Sequence, residues 1–175
     1  AEAAVVSPAW LRPEQAVQHR RAVAAIQRHR GVLLADPAGS GKTWIALATA
    51  RSLSGDAPVA VVAPAILQSQ WSSIGARTGV VTDFVSHESV SRGRLPGEAC
   101  GFVIVDESHR FRTPTTRRYQ ALAPWLVGRR GILLSATPVV NRLDDLAYQL
   151  LLLLRDDTLV SRGCASLRAT IMAKS

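Results

Sequence analysis

Leu33-Leu34-Ala35-Asp36-Pro37-Ala38-Gly39-Ser40-Gly41-Lys42-Thr43 decides the fold. An apolar run stops at Asp36-Pro37, a glycine-bearing turn follows, and Lys42-Thr43 open a stretch, Trp44-Ile45-Ala46-Leu47-Ala48, that reads as a helix. Strand, turn and helix in that order make a phosphate-binding P-loop. Gly39 and Gly41 let the backbone turn so that successive N–H groups face inward as an anion nest, and the positive end of the helix points the same way. Asp36, Pro37, Ala38, Gly39, Ser40, Gly41, Lys42 and Thr43 are thus expected to wrap the phosphates of a nucleotide. Lys42 would reach the β/γ-phosphates and the Thr43 hydroxyl would take a place on Mg²⁺. Asp36 stands where the pattern G-x-x-x-x-G-K-[ST] has glycine, so the assignment rests on the strand–loop–helix context.

Around that stretch, 175 residues suffice for one domain that buries roughly 70% of the surface its unfolded chain exposes. Cys100 and Cys164 are too few for a disulfide framework or a metal cluster. The longest apolar run, Leu150 to Leu154, falls far short of the ~20 residues that span a bilayer. A cytoplasmic protein without a membrane segment is expected, nucleoid-associated if bacterial. The formal charge of +8 comes chiefly from arginines at 20, 21, 28, 30, 110, 112, 117, 118, 129 and 130, a balance that suits a polyanionic partner such as nucleic acid.

A second chemical centre lies at Phe102-Val103-Ile104-Val105-Asp106-Glu107-Ser108-His109. An apolar strand that delivers two adjacent carboxylates at its end is costly to keep as plain core, because ionised groups need partners or water. Beside a P-loop the natural partners are Mg²⁺, for Asp106, and the attacking water, for Glu107. Other elements follow from periodicity and breakers. Pro13 opens a helix that Gly31 stops, Val59 to Ala63 is a strand buried on both faces, and Ile66 to about Ile74 is helical. Gly79 to Val85 reads as a strand, Ser86 as a helix cap, Thr115 to Leu122 as a helix with Arg117, Arg118 and Tyr119 exposed. Gly131 to Leu134 is a strand running into Ser135-Ala136-Thr137-Pro138, and Leu143 to Leu154 is a largely apolar helix capped by Asn141. His19 is expected to pack rather than ligate. About five short apolar strands alternating with helices predict an α/β fold, a parallel β-sheet with helices on both faces and its ligand site at the C-terminal strand edge.

With those residues placed, the chain resembles the superfamily 2 helicases and, within them, the Swi/Snf-type DNA translocases. Leu11-Arg12-Pro13-Glu14-Gln15 is similar to their adenine-side Leu-Arg-Pro-Tyr-Gln, with Glu14 in place of the aromatic. Val62-Ala63-Pro64 through Gln70-Trp71 resembles motif Ia, Ser86-His87-Glu88-Ser89 motif Ib, and Asp106-Glu107-Ser108-His109-Arg110-Phe111-Arg112 the DExH motif II. Ser135-Ala136-Thr137-Pro138-Val139-Val140-Asn141 resembles motif III, and its Pro-x-x-Asn tail leans towards the Swi/Snf branch. The resemblance implies a P-loop NTPase lobe of the RecA-like type over residues 11–155. Residues 1–10 would lead in, and 156–175 would connect towards a second lobe for which the stretch after Arg155 is too short.

Carried over residue by residue, the resemblance implies Mg-ATP as cofactor, with Gln15 reading adenine and Thr43 and Asp106 at the metal. Lys42, Asp106, Glu107 and His109 would be catalytic, and Ser135, Ala136 and Thr137 would couple hydrolysis to lobe movement. Pro64, Gln70, Trp71, Ser86, His87, Arg110 and Arg112 would touch the nucleic-acid backbone, most simply duplex DNA. The family's second RecA-like lobe, supplied in cis or in trans, contributes arginine fingers. A DExH-type RNA helicase lobe and a non-catalytic, nucleotide-gated nucleic-acid-binding module remain the alternatives.

Overall fold

The computed structural model describes residues 5–138 and 141–173; Val139 and Val140 of the Pro-x-x-Asn stretch lie outside them. In chain order the elements are α1 (Pro13–His29), β1 (Gly31–Leu34), α2 (Lys42–Ser54), β2 (Val59–Ala63), α3 (Gln68–Thr78), β3 (Thr82–Ser86) and α4 (His87–Ser91). These are followed by β4 (Phe102–Val105), α5 (Arg117–Leu126), β5 (Arg130–Leu134), α6 (Leu143–Leu150) and α7 (Leu167–Met172). The five strands pair in parallel in the order β1-β5-β4-β2-β3, the α/β sheet expected from the alternation.

Strands β2 and β4 are buried at every position, which is why they read as unbroken apolar runs. Alternate strand residues feed two cores. Val59, Val61, Ala63, Phe102, Ile104, Ile132 and Leu134 meet α1, α2 and α3 on one face. On the other, Ala60, Val62, Val103, Val105 and Leu133 meet α4, α5 and the segment after α6. His19 packs as expected, fully buried on α1 between the hydroxyls of Ser7 (2.8 Å) and Ser52 (2.9 Å).

Several boundaries differ from the sequence reading, each for a local reason. Helix α1 ends on Arg30, itself left-handed at φ 70°, rather than on Gly31. Gly31 is instead paired with Gly131 across β1 and β5, and Leu153 lies over both. A Cβ on Gly31 would come within 2.8 Å of the Leu153 Cβ, and one on Gly131 would fall into the Val103 carbonyl oxygen. These two glycines make the flat spot on which the chain after α6 docks, so α6 stops at Leu150 and Leu151–Leu154 turn onto the sheet instead of prolonging the helix.

Helix α3 starts after a 3₁₀ turn at Ala65–Leu67 and runs to Thr78, where Gly79 at φ 70° caps it; the next strand therefore begins only at Thr82. Helix α6 takes Arg142 rather than Asn141 as its cap residue, with the Asp145 carboxylate accepting from both backbone N–H groups. Tyr119 is half-buried, not exposed. Its hydroxyl donates to the Tyr148 carbonyl (3.0 Å), and burial pushes its pKa up to about 12. The segment after Arg155, expected as a bare connector, folds back through α7. Asp156 accepts from Ser166 Oγ and Arg168 N, and Leu167 is buried. Among the described residues no helix is long and apolar enough to cross a membrane.

Candidate nucleotide site and the surfaces around it

The P-loop forms as the glycine spacing requires. Gly39 and Gly41 adopt φ 80° and 82°, a region costly for any residue with a Cβ, and Gly41 opens α2. The Lys42 ammonium lies across the loop, donating to the carbonyls of Asp36 (2.5 Å) and Pro37 (2.9 Å). Ala38, Gly39, Gly41, Lys42 and Thr43 line one cavity of about 330 Å³, and Asp106 and Glu107 line the same cavity from the end of β4. The acids do not come from the strand next to β1, however: β5 lies between β1 and β4.

Asp106 is closely held. Its Oδ1 accepts the Glu107 N–H (2.8 Å) and its Oδ2 accepts the indole N–H of Trp71 (3.1 Å). Burial pushes its carboxyl pKa upward against those two donors and the Lys42 charge, while the neighbouring Glu107 charge adds to the rise. Glu107 follows at φ 50°, a left-handed conformation that costs a non-glycine residue roughly 1–2 kcal/mol and is found where a side chain must be aimed. Its Oε2 lies 3.3 Å from His109 Nδ1, which also lies 3.1 Å from Ser135 Oγ. Ser135 Oγ in turn accepts the Thr137 N–H (3.1 Å). Burial lowers the His109 pKa, outweighing the opposite pull of Glu107, while Arg110 and Arg112 lower it further. A neutral imidazole therefore joins Glu107 to Ser135 at neutral pH. Ser135 is buried, and Ala136 and Thr137 are exposed.

The donor set fits a magnesium triphosphate. The loop supplies a lysine and a backbone turned by two left-handed glycines, Thr43 and Asp106 offer hard oxygens, and the buried Ser40 hydroxyl within the loop has no hydrogen-bond partner among the described residues. Gln15 is 5% exposed and packs its amide nitrogen against Gly41, while its Oε1 accepts the Arg12 N–H (3.0 Å). Its acceptor is engaged by its own helix turn, so only its N–H donors face the loop. Sequence reasoning did not single out Arg12, whose guanidinium lies beside Gly41, or Trp44, Leu67 and Ile74, which wall the cavity. Trp44 packs on Trp10 at 5.6 Å and carries the Arg77 guanidinium over its ring at 5.1 Å.

The expected nucleic-acid set is split by the structure. Trp71 is completely buried beneath the site and serves Asp106, so its side chain meets no surface ligand. His87 is likewise at 0% exposure, edge-on to Phe111 at 5.0 Å, with neither ring nitrogen hydrogen-bonded among the described residues; burial and the charges of Arg118 and Arg110 lower its pKa to about 4. Pro64 is buried too. Gln70 is exposed but lines the nucleotide cavity. Ser86 Oγ is occupied in capping α4, bonded to the Ser89 N–H and hydroxyl. Arg110 is exposed, and Arg112 is half-buried with one nitrogen on the His109 carbonyl (3.1 Å). The helical period that placed Trp71 and His87 on their elements does not say which face meets the sheet.

Comparison with known proteins agrees with this geometry. The family model for the type III restriction enzyme res subunit matches residues 9–74, and that for the SNF2-related domain matches residues 80–166. The SWI/SNF-related matrix-associated actin-dependent regulator of chromatin subfamily A-like protein 1 of Bos taurus is 30% identical over 149 residues, 73% of this chain and 16% of that protein. The DNA annealing helicase and endonuclease ZRANB3 of Mus musculus is 28% identical over 159 residues, 73% of this chain and 15% of that protein. The chain thus spans about a sixth of the length of these relatives. The SWI2/SNF2 ATPase core of Sulfolobus solfataricus, solved in complex with dsDNA, shares the fold with a TM-score of 0.65 at 19% identity, over 86% of this chain and 37% of that one. The chain belongs to the SNF2-related branch of the superfamily 2 helicases, and its fold is that of their first RecA-like lobe.

Proposed function

We propose that this lobe binds Mg-ATP in the cavity between the P-loop and the end of β4 and, closed against a second RecA-like lobe, couples ATP hydrolysis to movement along duplex DNA. One observation carries the reading: Lys42 and Thr43 share a single cavity with Asp106 and Glu107. Lys42 and backbone N–H groups of the loop would hold the β- and γ-phosphates, Thr43 and Asp106 the metal, and the Gln15 amide N–H the adenine edge. When bound, Mg²⁺ neutralises charge that develops on the phosphate oxygens. Glu107 orients the attacking water and accepts its proton, and the neutral His109 links that carboxylate to Ser135. Of the residues expected at DNA, Arg110 is the exposed cation left to meet phosphate, with Arg112 beside it. Duplex DNA rather than RNA is favoured by relatives whose names concern chromatin and DNA annealing.

Arginine fingers are worth ~10³–10⁵ in turnover, so the lobe alone should bind nucleotide far better than it hydrolyses it. The test is nucleotide binding together with steady-state ATPase in the presence of duplex DNA, single-stranded DNA and RNA, on the polypeptide at its full encoded length. Lys42→Ala should abolish binding. Glu107→Gln should keep ATP and stop turnover. If wild type and Glu107→Gln bind ATP alike and neither turns it over, the chain is a nucleotide-gated binding module.

A further inference from the structure

Gln149 is a fully buried amide in the otherwise leucine-rich run of α6 and the segment after it. Its Oε1 accepts the Ser108 hydroxyl (3.0 Å), and its Nε2 donates to the Pro138 carbonyl (2.6 Å) as well as to Asp145 O in its own helix (3.0 Å). Ser108 is itself buried and sits between Glu107 and His109; Pro138 directly follows Thr137. One side chain thus ties the turn after the paired acids to the loop after Ser135-Ala136-Thr137. The His109–Ser135 contact joins the same two loops on the cavity side. A leucine at this position would satisfy the core but strand the Ser108 hydroxyl and the Pro138 carbonyl in it.

We propose that Gln149 is a positioning residue that locks the Asp106–His109 turn and the Ser135–Pro138 loop into one body, so that both shift together, and α6 with them, when nucleotide occupancy changes. The proposal rests on the nucleotide-site reading above. Gln149 touches neither cavity nor reacting atoms; it acts only through Ser108 and Pro138.

The test is amide hydrogen exchange at 107–111 and 135–137 in the full-length protein, with and without Mg-ATP, for wild type, Gln149→Leu and Ser108→Ala. In wild type both segments should gain protection together. In either variant, Mg-ATP should still protect 107–111, while 135–137 should exchange about tenfold faster than in wild type, the effect of one lost hydrogen-bonded link. The double variant should be no worse than either single one. Ser108→Ala removes a single hydroxyl, and decides the matter if Gln149→Leu does not fold. Protection that still rises together in both segments of the variants overturns the proposal, as does a uniform loss over the whole sheet. A wild type that ignores Mg-ATP instead overturns the nucleotide-site reading, and this proposal with it.

Discussion

Replacing Trp71 by phenylalanine separates an interior support for Asp106 from a DNA contact. The substitution keeps an aromatic ring in a completely buried site and removes the N–H that donates to Asp106 Oδ2 at 3.1 Å. A hydrogen bond to a charged group contributes about 1.5–3 kcal/mol. A loss of about 2 kcal/mol in a domain of this size lowers Tm by roughly 4–8 °C. Packing loss would also lower Tm, and pH tells the two apart. Asp106 has its folded pKa raised above the ordinary 3.8, so the stability associated with its protonated form is fully present below that value and is lost as pH rises through the folded pKa. Removing the indole donor raises the folded pKa further. The deficit of Trp71→Phe relative to wild type should therefore be largest at neutral pH and shrink on acidification, where only the packing loss remains. Thermal melts across that range read this directly, and because both proteins carry the same histidines, their titration cancels in the difference. In an Asp106→Asn background the acceptor is neutral, and the cost of Trp71→Phe should fall by about 1 kcal/mol. A deficit independent of pH, or a loss of DNA affinity with unchanged stability, would refute the reasoning.

Other perturbations follow from the same geometry. His87 is held neutral, with its pKa lowered to about 4, so its contribution is present above the ordinary 6.5 and lost as pH falls; Arg118, Arg110 and Glu88 are the charges that act on it. His87 should account for a loss of about 3 kcal/mol between those two values, beside the losses from His19 and His109, whose pKa values are also lowered, and His87→Phe should make that limb of the stability–pH curve measured by urea titration shallower by that share. Gly131→Ala drives a Cβ into the Val103 carbonyl and should leave little soluble folded protein, visible in expression and circular dichroism, whereas the exposed Gly101→Ala has open space and should be tolerated. Arg110→Ala should weaken DNA binding equally across sequences and reduce its salt slope by about one, as a titration at several ionic strengths would record. Glu107→Ala relieves no left-handed strain, since alanine also carries a Cβ, but Glu107→Gly should raise Tm while abolishing turnover.

Unbroken apolar runs marked the inner strands β2 and β4 because a parallel sheet covered on both faces leaves them no polar side, whereas the edge strand β3 carries Thr82, Asp83 and Ser86; the P-loop and the paired acids could be placed by what ends each run. The identity of helix faces was less legible. Trp71 sits beside Gln68, Ser69 and Gln70, and a polar neighbourhood suggested a surface, yet α3 turns this one residue inward to the end of β4. His87 follows the Ser86 cap as the first residue of α4, a position that does not say which way it faces; it is buried edge-on against Phe111. The run Leu150–Leu154 carries no breaker, and what halts the helix is remote in sequence, the glycine pair at 31 and 131. Gln149 did leave a signal, a lone amide among leucines, whose partners only the tertiary structure supplies.

Chain order also conceals which strand completes the site. The P-loop, the acids and the Ser-Ala-Thr stretch occur in that sequence, but in space the last lies between the first two: β5 pairs with β1 on one side and β4 on the other. Lys42 and Asp106 can therefore share a cavity only once β5 has inserted, and no local folding of residues 31–106 assembles the site. The same placement makes Ser135 the neighbour of both centres, since Ser135 N donates to Leu34 O at the start of the P-loop (3.1 Å) while its hydroxyl meets His109 beside the acids. A displacement of β5's end must thus be felt at the loop and at the carboxylates together. That dependence gives a physical reason for a small hydroxyl residue at 135: its backbone N–H holds the strand that leads into the P-loop while its short side chain reaches His109 beside the acids.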